Sequence, residues 1–356
     1  MIRPAPGPRR APMLRRRALL GAVAVGALSL AGCGRVALGG PEPYTPPPPG
    51  IDDLYRADLL AALDRAAAGS RTVQADVAAA ADPAVAVTLA DLVRVLPVHR
   101  TALLTGAQIE AERDSAAEAS EEPTASAPPP EAPTDAASLL ATLVELRDLA
   151  ADAARQVSGS LARPVAAIAA RTAWSVLRLR DSVDDAEVPL SPAAEDLQPR
   201  REVPAADPPS IGAESDYRAS IERAQRAQWY GGYLHEVLAA RTEDEVREGH
   251  LDRAELHRAR AEELSRIAEE DGAPVVARQA VYAIPGGTLD EETAAQLPTL
   301  LAQELLLDHL ALVGAAPFER RPLPIAAALQ EAETLAPLVD AMDELPGLVV
   351  EEEPAG

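Results

Sequence analysis

The stretch Ser138–Val157, SLLATLVELRDLAADAARQV, decides the fold. Its apolar residues recur at intervals of three and four: Leu139, Leu143, Leu146, Ala150, Ala153 and Val157. At 3.6 residues per turn such positions share one helix face, whereas a strand would alternate by two. After Gly159 a second stripe follows, opened by Pro164 and carried by Val165, Ile168, Thr172, Val176 and Leu179. Aromatic residues make up only 3% of the chain while alanine and leucine abound, a composition that favours helices over strands. The chain reads as all-α.

Working outward, residues 51–187 form a first helical bundle. One helix begins near Asp52 and reads through Ala81. Asp82-Pro83 supplies an N-cap and first-turn pair for a second, which Pro97 kinks. The low-complexity segment around Ser115–Ser138 predicts a disordered loop over 112–135. The two stripes above complete four helices. A proline- and acid-rich linker, 188–212, separates them from a second set of four over 213–346. Here Thr242 with Glu245, and Thr288 with Glu291, have the spacing of capping boxes, and the fourth helix reads from Pro324 to Glu344. A long connection from Gly272 to Thr288 joins the middle pair, as in ferritin-like bundles. The expected architecture is two antiparallel helical bundles, the second a ferritin-like four-helix bundle, followed by an acidic tail at 347–356.

The N-terminal end supplies an address. Arg15, Arg16 and Arg17 precede an apolar run, Ala18–Leu30, too short to span a bilayer as a stable helix. The run ends in Leu30-Ala31-Gly32-Cys33, which resembles the lipobox of bacterial lipoproteins. That resemblance implies a signal peptide over 1–32, cleavage after Gly32 and diacylation of Cys33. Arg16-Arg17-Ala18-Leu19-Leu20 is also similar to the twin-arginine export motif. Cys33 is the one cysteine, so no intramolecular disulfide can form. Residues 33–50, rich in proline, form a tether that reaches roughly 50 Å when extended. The expected location is the outer face of the cytoplasmic membrane, held there by a diacylglyceryl anchor.

The chain carries 33 basic and 56 acidic residues, a net charge of −23. Residues 1–32 hold six arginines and no acid, so a chain starting at Cys33 carries −29, six charges more negative. Such a body is repelled by nucleic acid and by anionic headgroups. Lysine is absent, which removes P-loop and Schiff-base chemistry. There is no Gly-x-Ser-x-Gly elbow, and no histidine sits in a nucleophile-partner motif. Trp174 and Trp229 read as helix-packing anchors, and Gly231-Gly232 as a point of close helix approach.

Two segments of the second bundle, AQRAQWYGGYL (Ala224–Leu234) and DGAPVVARQAVYAIP (Asp271–Pro285), resemble a ferritin-like domain of unknown function found in lipoproteins of high-GC Gram-positive bacteria. The resemblance implies a fold and raises the question of a metal pair. Di-iron bundles need a Glu-x-x-His from each of two helices, and this chain contains none. Where the family carries an acid five residues before the tyrosine, Gln225 stands here. Of the remaining donors, His235 shares a stripe with Gln228. His250 and His257 lie about 10.5 Å apart along a helix, awkward for a single ion. Glu304, among Leu300, Leu301 and Leu307, reads as a carboxylate facing a core. A hydrogen bond between Glu304 and His257 accounts for both without metal; the rival is a mononuclear Fe, Mn or Zn site on the same two residues. The expected function is non-catalytic: a lipid-anchored envelope protein binding another envelope protein or a small ligand. The alternative is a metal-binding ferritin-like protein with an atypical site.

Overall fold

Both stripes fold as read. In the computed structural model every residue of the two stripes is buried, on α4 (Ala136–Gln156), its C-cap Val157 and α5 (Gly159–Arg180). A reciprocal cap starts α4: Asp135 accepts from the Ser138 amide at 2.8 Å, and Ser138 Oγ accepts from the Asp135 amide at 3.2 Å. The structure describes residues 48–77, 83–119, 132–180, 183, 188–203, 214–284 and 287–348. The export signal, Cys33, Asp82, most of the tether and acidic tail, and linker residues 204–212 therefore lie outside the described residues. Among those described there are nine α-helices, one 3-10 turn and no strand.

Helices α1 (Ile51–Val77) and α2 (Pro83–Leu103) join α4 and α5 in a closed ring, in which α1 packs on α2 and α4 while α5 packs on α2 and α4. Between them α3 (Gly106–Ala119) projects from the ring with most of its described side chains exposed. Residues 112–119, predicted as loop, are therefore helical, because AERDSAAEA is rich in strong helix formers that outweigh the low complexity, and 120–131 of the predicted loop lie outside the described residues.

The second set comprises α6 (Glu214–Ala239), α7 (Asp244–Glu270), α8 (Glu291–Ala315) and α9 (Pro322–Leu335). Here α6 packs on α7 and α8, and α8 on α9. The fourth helix is shorter than the sequence predicts, ending at Leu335 rather than Glu344. Two caps also differ. Thr242 turns its hydroxyl back to the Leu238 carbonyl, leaving Glu243 as the N-cap of α7 without a side-chain bond. Asp290, not Thr288, caps α8 by accepting from the Thr293 amide.

From Pro49 onward the chain forms one unit with a shared core. Leu306, Leu310 and Val313 of α8 and Ile325 and Leu329 of α9 belong to the same buried cluster as the stripes of α4 and α5. Helix α8 is long and apolar enough to cross a membrane, but half of its most apolar window is buried and it packs on α5, α6 and α9. Fully buried Arg321 seals the junction by donating to the carbonyls of Ala154, Val157 and Ala316 at the ends of α4 and α8. A guanidinium there meets the negative end of two helix dipoles. The segment 188–203 is bound to α4: buried Arg147 donates to the Pro189 and Leu190 carbonyls, and Gln156 Oε1 accepts from the amides of Arg200 and Arg201.

Candidate functional site

The polar interior of the second set holds four of the five histidines. On α6, Gln225, Gln228 and His235 share one face; on α7, His250, Arg253, His257 and Arg260 share another. Gly231 and Gly232 let these faces approach: a Cβ on Gly232 would sit 3.3 Å from the Ala254 carbonyl oxygen and 3.1 Å from Arg258 Cγ. A Cβ on Gly231 would lie in ordinary contact with the His257 ring.

Gln228 is the centre of this seam and is fully buried. Its Oε1 lies 2.9 Å from His257 Nδ1, and its Nε2 lies 2.6 Å from His309 Nε2. With the amide so placed, His257 donates from Nδ1 and His309 accepts at Nε2. His257 stacks on His235 with ring centres 5.3 Å apart and an interplanar angle of 20°. His235 meets His250 through their Nδ1 atoms at 3.1 Å. Two neutral imidazoles of opposite tautomer satisfy that contact without an ion. Beside the histidines, buried Arg260 pairs with buried Glu331 of α9 at 2.6 Å and also donates to Gln330, while Arg253 donates to Thr334 at 2.7 Å.

The electrostatics are uniform. Burial first, with neighbouring histidines and arginines adding to it, holds His235 and His309 down to about 3 and His257 down to about 2: His250 and Arg253 act on His235; His235, Arg260, Arg253 and His309 on His257; and Arg260 on His309. His250 is lowered by the same two causes, burial and Arg253. All four are neutral at pH 7. Burial also lowers Arg260 and raises Glu331, each partner acting against that shift.

The two residues chosen from sequence do not meet. His257 is buried on Gln228, but Glu304 is exposed on the far side of α8, so the carboxylate does not face a core. The interior acid is instead Glu331, neutralised by Arg260. His309 and Glu331 carried no sequence signal: His309 lies in LLLDHLALV and Glu331 in IAAALQEAETL, both apolar contexts. Gln225 works here as an amide, both donating and accepting. Its Nε2 donates to the carbonyls of Pro274 and Ile221, while its Oε1 accepts from the Val276 amide and Ser265 Oγ. Together with Trp229, which donates to the Val276 carbonyl, it pins the long crossover onto α6. Gln225→Glu cannot both donate and stay ionised, and is expected to cost about 1–3 kcal/mol at pH 7 in a urea titration.

A metal pair does not fit this donor set. Among the described residues no group of three or more His, Cys, Asp or Glu side chains is placed to hold an ion. Gln228 already occupies one ring nitrogen each of His257 and His309, and the buried acid Glu331 is taken up by Arg260. The seam supplies no pair of carboxylates, where a di-iron centre would need them as bridges.

Fold and site thus define a helical-bundle protein whose polar interior centres on Gln228 and neutral imidazoles, with the Nδ1 of His309 left without a hydrogen-bond partner. Residues 223–350 match a family described as Domain of unknown function (DUF4439). No curated protein matches the chain, and no solved structure does.

Proposed function

We propose that this chain is a lipid-anchored envelope protein whose helical body is a non-catalytic binding module, with α6–α9 a ferritin-like bundle that has given up its di-metal centre. The observation that carries the reading is the seam itself: Gln228 bridges His257 and His309 where paired carboxylates would be needed, and Glu331, the one buried glutamate among the described residues, is spent on Arg260. The crossover between α7 and α8, held by Gln225 and Trp229, supports the ferritin-like topology. The lipobox at Cys33 and the proline-rich tether support attachment at the outer face of the membrane, with the body raised above it. The partner is an envelope protein or a small ligand, since the acidic surface disfavours nucleic acid.

Cell fractionation tests the anchor. Wild-type protein is expected in the membrane fraction in its processed form, and Cys33→Ala is expected to remain unprocessed or to be released. A Cys33→Ala protein that is cleaved and membrane-bound like the wild type contradicts the anchor.

A further inference from the structure

Acids outnumber bases in this chain, 56 to 33, so an arginine without a carboxylate beside it stands out. Arg94, Arg100, Arg258, Arg260 and Arg266 all hold acids, and Arg321 holds three carbonyls. Two arginines that share one groove differ from these. The groove, of about 490 Å³, lies at the junction of α5, α6 and α8, and Arg163 and Arg223 line it from α5 and α6. Among the described residues neither of them pairs with an acid.

Arg163 is fixed from two sides. It donates to the Gly347 carbonyl at 2.5 Å, and Gly314 of α8 comes so close that a Cβ there would sit 2.9 Å from Arg163 Cβ. Its Nε is buried with no hydrogen-bond partner. Arg223 is exposed and acts on Asp308 of α8 through space. Ser220, one turn before Arg223, brings a hydroxyl to the same lining, and Ser160 brings another from the first turn of α5. The positive end of the α5 dipole adds to the two guanidiniums there. The negative end of α8 is met by Arg321, which donates to the Ala316 carbonyl at 2.9 Å. Asp216 is the one acid of the lining, and the rest from α6 and α8 is small: Ala219, Ala311 and Ala315 leave room between the cations.

Two like charges converging on one cavity repel each other unless an anion lies between them. Guanidinium forks and hydroxyls that approach from different helices suit the tetrahedral oxygens of a phosphate better than the two coplanar oxygens of a carboxylate. We propose that this groove is a phosphate site, taking a phosphate dianion, free or as the monoester group of a small molecule, between Arg163 and Arg223. The assignment rests on the reading of the body as a binding module and names the class of its small ligand. No bond is made or broken there.

Isothermal titration of the purified full-length protein at low salt tests this, with inorganic phosphate and glycerol 1-phosphate as the probes. Inorganic phosphate is expected to bind saturably, at about one ion per chain, and acetate at least about tenfold more weakly. Arg223→Gln is expected to weaken phosphate binding about tenfold, and Ser220→Ala about threefold, with circular dichroism unchanged. Arg226→Gln, on the same helix at an exposed position paired with Glu222, is expected to change nothing. A monoester bound as tightly as inorganic phosphate gives the remaining room to the rest of a small ligand; one bound more weakly assigns the site to the free ion. Either upholds the proposal. Absence of phosphate binding, or an equal loss in Arg226→Gln and Arg223→Gln, overturns it and leaves the binding-module reading to its own tests. Release of inorganic phosphate from the monoester, lost in Arg223→Gln, would uphold the site and contradict the non-catalytic reading instead.

Discussion

Acidification from pH 7 to below pH 5 is expected to unfold the helical body, with the transition between about pH 6 and pH 4. The cause is histidine. His99, His235, His257 and His309 are buried, and each is pushed down to about 3 or, for His257, about 2. In the unfolded chain they titrate near 6.5. Below that value the unfolded state binds protons that the folded state refuses, so stability rises with pH and falls as pH drops, down to about 3. Each buried histidine contributes a slope of about 1.4 kcal/mol per pH unit. Asp308, pushed up to about 6 by burial, and Glu331, also raised, take up protons in the folded state and oppose the loss. A net two or three protons, about 3–4 kcal/mol per pH unit, is enough to exhaust a typical stability of about 5–15 kcal/mol within a few units. Far-ultraviolet circular dichroism against pH measures this. Ellipticity unchanged down to pH 4 contradicts the neutral seam.

The second large effect concerns Arg260 and Glu331. Both are at least 94% buried, with side-chain exposures of 6% and 2%. Glu331→Ala leaves a guanidinium in the interior with only Gln330 to receive it, beside neutral histidines that cannot compensate. A loss of about 3–5 kcal/mol is expected in a urea titration. Replacing both residues by methionine removes both charges together and is expected to cost much less than the single change, because no uncompensated ion remains. Equal losses from the single and double variants would mean that packing, not charge pairing, dominates there.

How much of this was legible in the sequence depended on the helix. On α4 and α5 the apolar residues form one stripe against small and charged neighbours, so period alone named the buried face, and every predicted position is buried. Helix α8 is apolar nearly all round: Leu300 and Leu307 are exposed while Leu301, Leu305 and Leu306 are buried. No period orients such a helix, so the sequence faces Glu304 inward, where the structure exposes it, and gives no sign that His309 is buried. The caps at Thr242 and Thr288 show the same limit locally, since a Thr-x-x-Glu pattern competes with a nearby carbonyl or a better-placed aspartate. The seam is beyond any single stretch. Gln228, His257 and His309 come together only when α6, α7 and α8 assemble, and Glu331 joins from α9 by tertiary packing.

Elemental analysis of the purified protein, offered Fe²⁺, Mn²⁺ and Zn²⁺ and then desalted, tests the central claim most directly. An interior of mutually bonded amides and neutral imidazoles beside two arginines predicts a fully folded protein with far less than one metal per chain. A reproducible ratio of one or two metals per chain would contradict it.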